Sequence, residues 1–431
     1  MRWSSGRKRR AAASPAPEHV AGPVASDERL ITLDVIRGLA VLGILFANIV
    51  GFAHPQFAYG WPPALPGGLE PANKAVWLAQ YLLIDGKMRG LFTLLFGAGM
   101  ALFLDRAAER GDTRFLQVRR LGWLMLFGLL HYYLLFWGDI LLLYGLCGFA
   151  VLPLVRLPAP NLLGIGIVWY VFGGLFMALT LAGPASVEQS AALQGFDSAA
   201  YRAGLDVWQS RERQAAFEAA VFVSGSYARE VAYMIEVRSG ELADLPFFAA
   251  IETIPLMLIG MALYRYGFFA GGIDRAVMRR WGWAGVAAGI ALPLPFGLWA
   301  MVRDFPPWLT ELAVSGIPQI PRLPMILGLA ALLACWAETS RSGWLATRLA
   351  AAGRMAFSNY IGTSILMMLV FRSWAGGLYG EMDRMELLLP VVLGWAVMLR
   401  WSTPWLKRFR YGPLEWLWRC LTYWKLFPMR R

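Results

Sequence analysis

Charge is scarce in this sequence. Asp, Glu, Lys and Arg make up 16% of 431 residues, against about a quarter in a soluble globular domain, which excludes a solvated surface of ordinary extent. Cysteine and histidine are scarcer still, at three each. Cys147, Cys335 and Cys420 form no CxxC pair and no metal-ligand spacing, so neither a disulfide framework nor a zinc centre is expected. No nucleophile elbow, phosphate-binding loop or HExxH stretch occurs, and no metal or tightly bound cofactor is expected. Ionisable residues inside apolar runs are too few for a proton relay, and no matching pair of Gly/Pro-broken segments marks an inverted-repeat transporter. The net charge of +12 does not indicate nucleic acid, because the basic residues lie in short loops between apolar runs and not on one folded face.

Those apolar runs are the dominant feature. Hydrophobic residues reach 58% and mean hydropathy is +0.50. About 20 apolar residues cross roughly 30 Å of hydrocarbon, and runs of that kind fall near 31–53, 88–105, 120–137, 139–157, 162–183, 245–265, 281–302, 322–338, 355–373 and 385–401. The expected fold is an all-α polytopic transmembrane bundle of about ten spans in a bacterial-type inner (plasma) membrane, with the lipid bilayer as its first partner. The twenty Trp and fifteen Tyr suit interfacial belts, and Gly285 to Gly289 form a small-residue ridge for helix packing. The stretch 73–87 is apolar but broken by Asp85, Gly86 and Lys87, and reads as a surface segment or as part of a kinked span.

Basic residues set the expected orientation. With the amino terminus inside, the inner segments hold 28 of the 40 Lys and Arg and 12 lie outside, five of these in the 184–244 loop. Both termini are therefore expected in the cytoplasm. Residues 1–29, which contain His19, read as a disordered basic tail, residues 30–401 as the membrane domain and 402–431 as a second basic tail. Within the membrane domain, 184–244 reads as one or two amphipathic helices on the outer face.

Ionisable residues in or beside spans are costly, so each is a candidate site residue. Asp34 and Arg37 share a helix face, and Asn48 returns to it three turns on, with His54 beyond the end. The same residues also read as an interfacial ion pair and a helix-gluing amide. His131 precedes Asp139 by one tight return, so Asp139 can orient the imidazole as a base or simply cap the next helix. Asp85 and Arg89 open the second span and could hold a headgroup or anchor a helix. Glu252 is an isolated intramembrane acid expected to face the bundle interior. Arg354 and Asn359 open the span at 355–373, where a phosphate contact competes with a purely topological role for the arginine.

The run Leu33-Asp34-Val35-Ile36-Arg37-Gly38, continuing to Asn48-Ile49, resembles the opening of the YeiB-like proteins, the domain-of-unknown-function family 418. Gly90 to Gly97, Gly138 to Leu141, Gly353 to Tyr360 and Tyr411 to Arg419 resemble that family in the expected order. The family in turn resembles membrane acyltransferases, including the heparan glucosaminide N-acetyltransferases and the sugar O-acyltransferases, which share the Leu-Asp-x-x-Arg-Gly helix. The sugar enzymes carry a histidine eleven residues after the arginine, where this sequence has Asn48. The glucosaminide enzymes also carry Asn there, with a histidine later, and His54 is the histidine in that region here. The resemblance implies transfer of an acyl group from cytoplasmic acyl-CoA, as cosubstrate, to a glycan or lipid acceptor across the membrane. Arg37 would hold the CoA phosphates, His54 or His131 would act as base or acyl acceptor, and Asp139 would orient the imidazole. A small-molecule or lipid transporter and a non-catalytic membrane scaffold are the rival readings.

Overall fold

A computed structural model of the chain describes residues 31–111, 113–195, 197–340 and 342–431, so the segment expected as a basic tail at 1–29 lies outside them. Among the described residues the fold is all-α, with one isolated bridge between Phe409 and Arg430 in place of any sheet. Helix α1 (Ile31–Ala53) spans about 34 Å at the usual helical rise, enough to cross a bilayer, and nearly all of its residues are buried by the other helices. The short α2 (Gln56–Gly60) turns the chain into α3 (Pro71–Leu83), which a glycine turn joins to α4 (Lys87–Glu109). α5 (Phe115–Leu134) and α6 (Leu141–Val151) pack as a hairpin. α7 (Ala159–Gln194) continues past the expected span end at 183, and α8 (Ala199–Val223) and α9 (Tyr227–Glu236) form the helices of the expected amphipathic segment.

The stub α10 (Leu245–Phe248) runs through a π-turn into α11 (Ile254–Arg265), which packs on α4 and α7. α12 (Arg275–Ala291) and α13 (Leu294–Val302) form one interrupted rod, and α14 (Pro307–Glu311) leads through a second π-turn to α15 (Gln319–Thr339). The expected ridge Gly285–Gly289 of α12 lies directly on Pro324 and Met325 of α15. α16 (Trp344–Arg354) and α17 (Ala356–Phe371) meet at an 84° bend, and α18 (Leu388–Arg408) and α19 (Pro413–Tyr423) end the chain.

Six of these stretches are long and apolar enough to cross a membrane, or seven if the bent α16–α17 pair counts as one span. They cover the expected runs at 31–53, 88–105, 162–183, 245–265, 281–302 and 322–338, with 355–373 in the bent pair. The run at 120–137 is helical as α5 and that at 385–401 as α18, both outside that measure. The run at 139–157 forms only the short helical stretch Leu141–Arg156. Val168, Phe172 and Leu179 on α7, Trp281 and Trp283 on α12, and Leu389, Val392 and Leu393 on α18 are exposed. Apolar surface on that scale suits lipid contact.

The bundle has two polar ends. One, the basic face, gathers the start of α1, the α4–α5 turn, Arg265 bonded to the Val155 and Leu157 carbonyls, and α19. The other, the loop face, joins α2, α8, α9 and the 372–387 segment through buried ion pairs. There Arg238 bonds Glu218 at 3.3 Å and Glu241 at 2.7 Å, and Arg372 forms an ion pair with Glu230 at 3.2 Å.

The tightest crossing lies at the basic face. Gly38 of α1 rests on the Leu349 carbonyl of α16, and Gly353 rests on the Asp34 carbonyl, so a Cβ at either glycine collides with backbone. Backbone cannot swing aside as a side chain can, and overpacking here costs about 1–3 kcal/mol or more. Gly353→Val should sharply reduce monodisperse protein after detergent extraction. Gly164→Ala, where a Cβ meets nothing within 4 Å, should leave the yield and the size-exclusion profile unchanged.

Candidate functional site

α5 carries His131 on its last turn, and the return at Gly138 brings Asp139 back against it. His131 Nδ1 lies 2.8 Å from Asp139 Oδ1 and its Nε2 lies 2.8 Å from Ser364 Oγ on α17. Neither the imidazole nor the carboxylate keeps accessible surface. Asp139 Oδ2 also accepts from the Leu142 N–H at 2.6 Å, capping α6. This one carboxylate therefore both caps α6 and contacts the imidazole. A carboxylate at Nδ1 fixes the proton there and leaves Nε2 as the acceptor. Ser364 Oγ also lies 3.1 Å from the Tyr360 carbonyl, so its one hydrogen can serve either acceptor. The Tyr360 hydroxyl donates to the Gly138 carbonyl at 3.2 Å and accepts from Ile140 N–H at 3.3 Å, and its ring centroid sits 4.9 Å from that of His131.

A cavity of about 170 Å³ runs from the basic face toward that ring. Its mouth carries Arg37, Arg120, Arg354 and Glu415, its walls are apolar, and Ile140, Tyr144 and Tyr360 stand at its inner part. Arg37, Val41 and Ile44 of α1 line it at helical spacing, and Asn48 continues the same stripe. Arg120 and His131 are eleven residues apart on α5, roughly 16 Å along the axis, so the one helix joins the mouth to the imidazole. Glu415 accepts from the Phe357 and Ser358 N–H groups at 2.8 and 3.1 Å. It thereby caps α17 at the 84° bend. Burial raises its carboxyl above the usual range, with the Ser358 and Phe357 hydrogen bonds acting the other way.

The other candidates fall elsewhere. Asp34 accepts from Arg37 Nη1 at 3.1 Å, which is the expected pair. Asn359 is fully engaged: Nδ2 donates to the Ala352 carbonyl and to Ser402, and Oδ1 accepts from Trp401 at 2.7 Å. It ties the bend to α18 and does not line the cavity. Arg354 reaches the Arg410 carbonyl at 3.4 Å. His54 is buried, and its Nε2 lies 2.8 Å from the Met382 carbonyl, so it pins the end of α1 to the 372–387 segment. Asp85, Arg89 and Glu252 enter a second polar chamber toward the loop face. Arg89 Nη2 donates to Glu252 Oε2 at 2.7 Å, and Asp85 accepts from Gln80 at 3.1 Å. The Tyr144 hydroxyl donates to the Arg89 carbonyl at 3.2 Å, so Tyr144 stands between cavity and chamber. Among the described residues no three His, Cys, Asp or Glu side chains converge as a metal site.

Sequence reasoning missed Ser364, Arg120, Arg322, Arg384 and Glu415. Tyr360 and Glu415 lay inside the motifs that carried the family resemblance, which was the one available signal. Ser364 sits in an apolar run with no pattern to single it out.

The family described as protein of unknown function (DUF418) matches residues 263–425. The chain is 34% identical over 408 residues to the uncharacterized protein YeiB of Escherichia coli (strain K12), covering 92% of this chain and 96% of that protein. It is 31% identical over 425 residues to the uncharacterized protein YxaH of Bacillus subtilis (strain 168), covering 95% and 98%. No solved structure gives a significant match.

Burial pushes the His54 imidazole down to about 4, the Met382 carbonyl raising it in part and Arg384 lowering it further. The unfolded chain holds this proton up to about pH 6.5, so between pH 4 and 6.5 the unfolded state binds more protons. Stability from this residue is complete above about pH 6.5 and is lost as pH falls toward 4, by at most about 3 kcal/mol. Thermal unfolding in detergent across that window should show a slope that flattens by about one proton in His54→Gln. Parallel slopes would contradict the assignment.

Proposed function

This chain belongs to the DUF418 family, together with YeiB and YxaH, and we propose that it is a membrane acyltransferase with His131 as its base. The observation that carries the reading is an imidazole held between a carboxylate and a hydroxyl beside the end of a basic-mouthed, apolar-walled cavity. Arg37, Arg120 and Arg354 suit the phosphates of acyl-CoA, since guanidinium pairs strongly with phosphoryl oxygen. At about 170 Å³ the cavity is smaller than the roughly 300–1,000 Å³ that encloses a drug-sized ligand. It therefore takes the acyl end of a donor whose nucleotide stays at the mouth.

In the proposed step His131 Nε2 removes the proton from an acceptor hydroxyl. The hydroxyl oxygen bonds to the thioester carbon, the carbon–sulfur bond breaks, and the imidazolium returns its proton to the departing thiolate. Asp139 keeps Nδ1 protonated throughout and stabilises the imidazolium. The Tyr360 ring separates the cavity from the imidazole, and its displacement joins them. The basic face is cytoplasmic in this reading, with both termini on that side, a bilayer around about ten spans, and a glycan or lipid acceptor arriving from the loop face.

The test is transfer of a labelled acyl group from acyl-CoA to lipid and glycan acceptors in vesicles of defined orientation. Product should form only when donor meets the basic face. His131→Gln should abolish it, because losing a positioned base removes at least about 10²–10⁴-fold. Asp139→Asn should fall between, and Arg120→Gln should raise the KM for acyl-CoA. Full activity in His131→Gln would refute the reading, and saturable solute flux without covalent product would replace it with a carrier.

A further inference from the structure

The chamber beside the α3–α4 turn holds more cations than its carboxylates match. Lys87, Arg89, Arg322 and Arg384 stand around Asp85 and Glu252, and the Tyr59 hydroxyl lies in the combined field of Asp85, Arg89, Arg322 and Arg384. With Lys87 charged the excess is two, and with Lys87 neutral it is still one. Neither neighbouring group removes it. His54 is neutral near pH 7, and Asp383, which accepts from Asn73 at 3.2 Å and the Glu386 N–H at 2.8 Å, forms no ion pair with Arg322 or Arg384.

Two of these guanidiniums are buried with donors to spare. Arg322, 8% exposed, gives Nη1 to Gln319 at 3.0 Å and Nη2 to the Val314 carbonyl at 2.7 Å, and its Nε has no hydrogen-bond partner. Arg384, 4% exposed, gives Nη1 to Gln80 at 2.9 Å, and its Nη2 has none. Gly86, at φ +73°, leaves room for Arg322, whose Nε would lie 2.6 Å from any Cβ placed there. The chamber is a space and not solid packing, since the Arg89 side chain keeps 38% of its surface and Asp85 and Tyr59 are only half-buried. Unmatched cations in a low-dielectric interior are strongly unfavourable until an anion joins them.

We propose that this chamber binds a phosphoryl anion between Arg322 and Arg384, beneath Tyr59. Spare guanidinium donors on two sides, with Lys87 near and an excess of at least one positive charge, suit a tetrahedral, multiply charged phosphoryl group. A free phosphate monoester and a lipid headgroup phosphate share this chemistry. The site stands apart from the acyl-transfer reading, because its occupancy is measured with no donor present.

The test uses the full chain in phosphatidylcholine nanodiscs. One arm follows thermal unfolding against inorganic phosphate at constant ionic strength. The other reads phosphatidylglycerol retained on the protein by native mass spectrometry. Saturable protection by phosphate identifies a soluble source, and selective lipid retention identifies a headgroup. On either arm Arg322→Gln/Arg384→Gln should weaken binding about tenfold or more, since each charge-assisted bond is worth that order. Asp85→Asn, which removes the competing carboxylate and keeps its shape, should tighten binding. If the double variant does not fold, Asp85→Asn alone decides. No binding on either arm, or affinity unmoved in Asp85→Asn, overturns the proposal.

Discussion

A charge inside this bundle has only other protein groups, side chain or backbone, to satisfy it, because hydrocarbon offers no hydrogen bond. The interior is organised around that constraint. Glu252 is matched by Arg89 at 2.7 Å and is placed by a π-turn, an irregularity that α-helices often reserve for functional positions. Asp139 answers both a helix terminus and an imidazole, and Glu415 answers the N–H groups at the α17 bend. Arg238, with no accessible surface, binds three elements of the loop face into one cover through Glu218, Glu241 and Gln56.

Against that background the two polar spaces differ in kind. The cavity at the basic face is apolar along its walls and charged only at its mouth, which suits a ligand with an anionic head and an apolar end. The chamber toward the loop face gathers charged side chains and leaves cationic donors unused. Tyr144 and Phe92, whose ring centroids lie 6.1 Å apart, stand where the two spaces approach. His131 lies beside this partition, shielded by Tyr360 and Phe136. An enzyme that receives donor and acceptor from opposite faces needs such a division, with its chemistry at the boundary.

Much of the fold was legible in the sequence because apolar runs carry their own length. α1 occupies the predicted 31–53, and the 73–87 stretch broke where Gly86 turns the chain. The bend between α16 and α17 was not legible, since no proline marks it and Glu415, 58 residues from Phe357, stabilises it. The His131–Asp139 contact was within reach because a short return joins the pair. Ser364 was not, as it comes from a helix 233 residues away. Arg384 lies in the polar run Glu381-Met382-Asp383-Arg384, which reads as solvated until tertiary packing buries it.

The account turns on whether an acyl donor enters the cavity at the basic face and reaches the neighbourhood of His131. Photolabelling with acyl-CoA bearing a diazirine on its acyl chain, followed by peptide mapping, reads this directly. The account predicts labels on α5 and α17 about Leu124 and Tyr360, suppressed by excess unmodified acyl-CoA. Labels confined to the lipid-facing surfaces of α7, α12 and α18, and indifferent to competitor, would contradict it.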